Sequence, residues 1–187
     1  RWRRPARCWS GPAAPAGFDY WPDVLTAAEQ AAGVAHLQKL SFRPYEHMGY
    51  QGFRRIAAFG RRYDLERRLE TAEPWPDFLK ALLDRLAGPL SLDEGAFVQA
   101  LVNEYAPGAG IGWHRDRPVY GKILGVSFLA PCVMRLRRKA GSKWRRAGAA
   151  LGPGSVYRLS GEARSDWEHS ISPMTALRYS VTFRTLA

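Results

Sequence analysis

The 187-residue sequence predicts a mainly β fold with flanking helices (α+β), built as a sandwich or double-sheet jelly roll in a single domain. Three observations carry this expectation. From residue 96 onward, short strand-like stretches are separated by turn signals at Pro107-Gly108, Gly121, Gly141 and Pro153-Gly154. Ahead of them, two stretches place apolar residues at helical spacing, around 26–38 and 76–87. No internal repeat or linker divides the chain, and no apolar run reaches the length of about 18 residues that a membrane span needs.

In chain order, residues 1–17 (RWRRPARCWSGPAAPAG) lack periodicity and read as a basic, disordered arm without the apolar stretch of a secretory signal. Residues 18–187 form the domain. Phe18, Tyr20 and Trp21 open it as a strand. Asp23 or Thr26 caps a helix whose buried stripe is Val24, Leu25, Ala28, Ala31, Ala32, Ala35 and Leu37. A strand around 40–44 follows. Residues 45–73 carry six arginines punctuated by Gly49, Gly52 and Gly60, and two readings stand side by side. One is a solvated basic loop with a short helix. The other is a substrate lid, in which Arg54, Arg55, Arg61 and Arg62 meet phosphates and an aromatic such as Phe59 or Tyr63 stacks on a base. Residues 74–90 form a helix with Phe78, Leu79, Leu82, Leu83 and Leu86 on its apolar face, stopped by Gly88-Pro89. Strands are expected at 96–105, 123–130, 132–138, 143–147, 155–159 and 176–185.

The net charge of +11 and pI near 10.2 point to a polyanionic partner, because summed positive charge concentrates phosphates at a surface. Cys8 and Cys132 are too few for a disulfide framework or a zinc site, which suits a soluble, intracellular monomer with free thiols.

The chemistry concentrates in Asn103–Asp116 (NEYAPGAGIGWHRD), His169 and the strand RYSVTFR at 178–184. His114-x-Asp116 with the distal His169 is the ligand set of a 2-His-1-carboxylate facial triad, which holds Fe(II) and leaves positions open. On a strand, residues i and i+2 share a face, so His114 and Asp116 would reach one ion. Along 178–184, Arg178, Ser180, Thr182 and Arg184 share one face while Tyr179, Val181 and Phe183 share the other. Two arginines turned toward a metal pocket call for an anion, and 2-oxoglutarate fits because guanidinium pairs with carboxylate in a fork.

Asn103-x-Tyr105-x-Pro107-Gly108, His114-x-Asp116, His169 and Arg178-x-Ser180-x-Thr182-x-Arg184 together resemble the AlkB family of Fe(II)/2-oxoglutarate dioxygenases. The resemblance covers the second half of the chain well and the part before residue 96 loosely. It implies a double-stranded β-helix core at 96–187, with the two helices outside and the lid within 18–95. It implies Fe(II) on His114, Asp116 and His169, with 2-oxoglutarate and O2 as cosubstrates. Tyr105 and Arg178 would then hold the distal carboxylate of 2-oxoglutarate, and Asn103 and Arg184 its metal-side carboxylate. Ser180 stands where the commonest family motif has Asn, and implies a weaker or water-mediated contact. Pro118 stands where the DNA-repair members carry an acidic residue that helps read the base. The implied activity is oxidative dealkylation of N-alkylated bases in DNA or RNA, with formaldehyde released. The alternatives are an oxygenase for a protein or small molecule and, from another class, a nucleic-acid-binding domain with an idle site.

Overall fold

The protein is described here by a computed structural model covering residues 9–10, 14–47, 50–64 and 69–187. The basic arm at 1–8 and 11–13, Cys8 within it, and Arg67 and Arg68 lie outside the described residues. The chain opens with β1 (Trp9–Ser10), β2 (Phe18–Trp21) and α1 (Ala27–Leu37), then forms β3 (Arg43–His47), β4 (Tyr50–Asp64) and β5 (Leu69–Glu73). After α2 (Asp77–Leu90) come β6 (Phe97–Tyr105), β7 (Ile111–His114), β8 (Tyr120–Leu129), β9 (Cys132–Ala140) and β10 (Lys143–Leu151). The last elements are β11 (Val156–Leu159), α3 (Gly161–Ser165), β12 (Glu168–Ile171) and β13 (Arg178–Leu186).

Two antiparallel sheets face each other, as a jelly roll requires. The major sheet runs β2-β11-β8-β13-β6-β4-β3 with β5 paired to β4, and the minor sheet runs β1-β10-β9-β12-β7. Alternation along β13 explains what lies on each side. Tyr179, Val181 and Phe183 join Val102, Leu124 and Phe128 in an outer core closed by Leu37 of α1 and Leu79, Leu83 and Leu86 of α2. Each fully buried leucine there contributes roughly 2 kcal/mol of transfer free energy. Arg178, Ser180, Thr182 and Arg184 face the opposite way, into the space between the sheets. The far part of that space is filled by Met134, Leu136, Leu151, Tyr157, Leu159 and Trp167. Gly33 lets α1 lie close on the sheet, since a Cβ there would sit 2.7 Å from the Phe128 ring.

Five expectations change. Of the stripe expected to bury α1, Ala28, Ala31, Ala32 and Ala35 are exposed, Val24 and Leu25 are buried but precede the helix, and Leu37 is the buried residue of the helix itself. Thr26 alone is the cap of α1, in a reciprocal box with Glu29. The helix at 76–87 runs on to Leu90: Pro89 sits in the last turn, Leu90 is buried, and the stop falls at left-handed Ser91. The described residues of 45–73 form neither a basic loop nor a helix. They are strands β3, β4 and β5, which extend the major sheet past β6. Gly60, at φ 76°, is where β4 turns from β6 toward β5, and a side chain there would collide with the Val98 carbonyl. Finally, the strand carrying His114 ends at that residue, so the strand pleat does not place Asp116.

Candidate active site

Strand pairing joins residues far apart in sequence. β7 and β12 run antiparallel with His114 opposite His169, and His169 is opposite the buried Leu136 of β9. The two imidazole centroids lie 4.2 Å apart, tilted by 57°. Asp116 reaches them from the loop after β7, and one ligand atom from each of the three residues lies within 4.8 Å of the others. His169 Nε2 is 3.5 Å from Asp116 Oδ2, with side chains only 12% and 9% exposed. Arg184, on β13, fixes the carboxylate: its Nη2 donates to Asp116 Oδ1 at 2.7 Å and its Nη1 to Gln99 Oε1 at 2.8 Å. Arg164 of α3 braces the same loop by donating Nη2 to the carbonyls of Arg117 and Tyr120, both at 2.6 Å.

The protonation states suit a metal. Burial lowers the His169 pKa to about 4, against the pull of Asp116 in the other direction. Burial likewise lowers that of His114. Burial pushes the Asp116 carboxyl up, but Arg184 and the two histidines together outweigh it and hold it at about 2. Near neutral pH the cluster therefore offers two neutral imidazoles and one carboxylate, the forms that ligate a cation. His114 Nδ1 lies 2.9 Å from the Gly112 carbonyl, which can only accept, so Nδ1 carries the proton and Nε2 is free to ligate. Imidazole and carboxylate in this ratio fit Fe(II).

A second anchor lies on the same face of β13. Arg178 is fully buried. Its Nη2 donates to Ser127 Oγ at 2.9 Å, while Nε and Nη1 have no hydrogen-bond partner among the described residues. The Tyr105 ring is 5.4 Å from its guanidinium carbon. Burying a guanidinium with open donors is costly unless an anion completes it. The residues thus fit a carboxylate ligand at this end, and 2-oxoglutarate has one to spare for it when the other lies by the metal. Asn103 and Ser180 face each other across β6 and β13, between the two arginines. Asn103 Oδ1 accepts from Arg54 Nε at 3.1 Å.

Above the cluster opens a cleft of about 370 Å³, walled by Arg54, Ile56 and Ala58 of β4 and bordered by Arg43, Tyr45, Arg115 and Arg117. Arg54 lies flat on Tyr45, 3.8 Å from the ring centroid. Of the residues expected at the cleft, Arg54 is there, but Arg55 and Phe59 are not. Both point to the other face of β4, because successive strand residues alternate. Arg55 Nε is 2.6 Å from Glu104 Oε1, and Phe59 packs against the outer core. The Arg61 side chain is exposed, while its carbonyl accepts from Gln99 Nε2. The side chains of Arg62 and Tyr63 lie outside the described residues. Sequence reasoning passed over Gln99, Ser127, Tyr45, Arg117 and Arg164. Only Gln99 carried a signal, since it shares the alternating face of β6 with Asn103 and Tyr105.

The profile of the 2OG-Fe(II) oxygenase superfamily matches residues 17–184. An Arabidopsis thaliana protein named alkylated DNA repair protein ALKBH8 homolog is 30% identical over 182 residues, 83% of this chain and 50% of its own length. An alpha-ketoglutarate-dependent dioxygenase AlkB homolog of Caulobacter vibrioides is 34% identical over 170 residues, 79% of this chain and 74% of its own. This chain therefore spans about half the plant relative. Among solved structures, OsALKBH1 superposes with a TM-score of 0.66 at 17% identity, covering 93% of this chain and 98% of that one. A 2OG-Fe(II) oxygenase family oxidoreductase from Burkholderia pseudomallei gives 0.64 at 15%, covering 91% and 85%. These two support the jelly-roll fold. With its triad, its buried arginine and these relatives, the chain belongs to the AlkB-type 2OG-Fe(II) oxygenases, a family of dioxygenases that use Fe(II), 2-oxoglutarate and O2.

Proposed function

We propose that the protein removes alkyl groups oxidatively from nitrogen atoms of nucleobases in DNA or RNA. The observation that carries this reading is the incomplete guanidinium of Arg178, turned into the same space between the sheets as the cluster of His114, Asp116 and His169, together with a cleft edged with arginines. Support for the substrate class comes from the plant relative, whose name is that of an alkylated DNA repair protein.

In this reading His114, Asp116 and His169 hold Fe(II). Arg178 and Tyr105 receive the distal carboxylate of 2-oxoglutarate, and Asn103, Ser180 and Arg184 serve its metal-side carboxylate. Once bound, the iron with 2-oxoglutarate and O2 supplies the oxidising power that places a hydroxyl on an N-methyl carbon. The hydroxymethyl amine then separates into formaldehyde and the free N–H of the base. The chain's own residues contribute position and dryness. Leu101, Ile111, Ile123, Met134 and Ile171 wall the inner site with apolar surface. Tyr45, backed by Arg54, offers a ring on which a base can stack, while Arg43, Arg115 and Arg117 are placed for phosphates. A paired base cannot reach so recessed a site, so the target is flipped out or comes from a single strand.

The test is formaldehyde release from N-methylated DNA and RNA oligonucleotides beside an N-methylated peptide, with Fe(II) and 2-oxoglutarate supplied. Release from an oligonucleotide, abolished by His114→Ala in a folded protein, is expected. Release from the peptide alone would move the protein to the alternative substrate class.

A further inference from the structure

The outer face of the minor sheet carries an alternation of cations and indole rings that the catalytic reading does not use. Arg137 of β9 is clasped between Trp113 and Trp144, its guanidinium carbon 4.4 Å from each ring centroid, and its Nε is 2.6 Å from Glu168 Oε2. Arg135 lies two residues along the same strand face, 5.1 Å from the Trp113 ring, with Nε donating to Ser170 Oγ. Across the ladder, Arg146 stands opposite Arg137 and Trp144 opposite Lys139.

Two features of this face are left open to solvent. Arg146 and Lys139 are exposed and have no carboxylate partner among the described residues, and Arg146 stands directly opposite Arg137, an arrangement of like charges that is destabilising on a sheet. Trp144 is 37% exposed, with Arg137 covering part of its ring. The face also reaches the edge of the minor sheet that carries the active site: Trp113 precedes the ligand His114 on the edge strand β7, with its side chain on the opposite side of that strand. A flat sheet with phosphate-binding cations set between stacking rings is the arrangement that holds a single strand without reading its sequence.

We infer that this face binds the single-stranded nucleic acid flanking the target base, with Lys139, Arg135 and Arg146 on phosphates and a base stacked on Trp144. The inference rests on the nucleic-acid reading of the active site, but its test needs no turnover. The affinity of the full chain for an unmodified, fluorescein-labelled 16-nucleotide single strand is measured by anisotropy across a salt series. Lys139→Gln with Arg146→Gln should weaken binding and lower the salt slope by about 1.4, two phosphate contacts' worth. Trp144→Ala should weaken binding about tenfold at unchanged slope, and Trp144→Phe should recover most of it. Lys39→Gln, an exposed cation on the far helix α1 side, should do nothing. Unchanged binding in the Lys139→Gln with Arg146→Gln variant and in Trp144→Ala overturns the inference, as does a Lys39→Gln loss equal to that of the double variant. Displacement of the strand by poly-glutamate at matched charge also overturns it, in favour of an acidic protein partner. A protein that binds the strand as described yet releases no formaldehyde from any methylated oligonucleotide would instead retire the proposed reaction.

Discussion

The two arginines that face inward from β13 occupy sites of opposite character. Arg184 is largely engaged: it donates Nη2 to Asp116 and Nη1 to Gln99, and of its donors Nε alone lacks a partner among the described residues. Arg178 is deeper, donates to Ser127 beside the Tyr105 ring, and leaves two donors open among the described residues. One end of the strand is built to orient a metal ligand and the other to await an anion. A buried positive charge stabilises a site only when its partners are complete, so the difference states where the missing partner belongs.

The sharpest way to break the comparison is at the deep end. Arg178→Met should raise the 2-oxoglutarate concentration needed for half-maximal turnover by about 100-fold, the scale of losing a buried charge-assisted pair. The same change should leave the metal-free protein at least as stable by urea denaturation, because it removes an uncompensated buried charge. An unchanged 2-oxoglutarate requirement would strip Arg178 of its role. The matching change at the other end has a different signature. Arg184→Gln should weaken Fe(II) binding about tenfold or more, as loss of a partner to a metal ligand does, with the larger effect on metal affinity rather than on 2-oxoglutarate. Titration with a spectroscopic surrogate such as Co(II) reads this directly. If both variants shift the same ligand equally, the two ends are one site and the distinction fails.

The same contrast explains what could be read from the sequence. Both arginines were legible because a two-residue period puts a strand's functional side chains on one face, and β13 keeps that period from Arg178 to Arg184, whereas the triad was legible as a ligand set although the pleat that suggested it stops at His114. Ser127 was not legible, since it meets Arg178 only through the register of β8 against β13. Arg164 was hidden for a similar reason: its contacts are backbone carbonyls, which leave no trace in residue identity. Arg55 and Phe59 were misplaced because a lid has no strand parity, whereas β4 has one and sends them away from the cleft. The places of the outer helices were legible from helical spacing, apart from the end of α2, but the buried face of α1 was not: small alanines at helical spacing do not say which side meets the sheet, and Ala28, Ala31, Ala32 and Ala35 are exposed while Leu37 is buried.

The smallest expected effect sharpens the comparison through pH. His169 is held near a pKa of 4 against an ordinary 6.5, so the unfolded chain binds its proton first as pH falls. Stability of the metal-free protein is therefore full above about pH 7 and is lost between 6.5 and 4. Asp116, held at about 2 rather than 3.8, contributes stability that persists above 3.8 and is lost only as pH falls toward 2. The window from pH 7 to 5.5 thus belongs to the histidines, and His169 alone should cost about 1 kcal/mol across it. His114 moves in the same direction. Beside Arg178, burial pushes both Tyr105 and Cys132 further up, away from that range. Urea melts of metal-free protein should show this decline in the wild type and keep it in Arg178→Met, while His169→Gln should flatten it. A decline that survives His169→Gln but vanishes in Arg178→Met would reverse the assignment of which end of β13 senses protons.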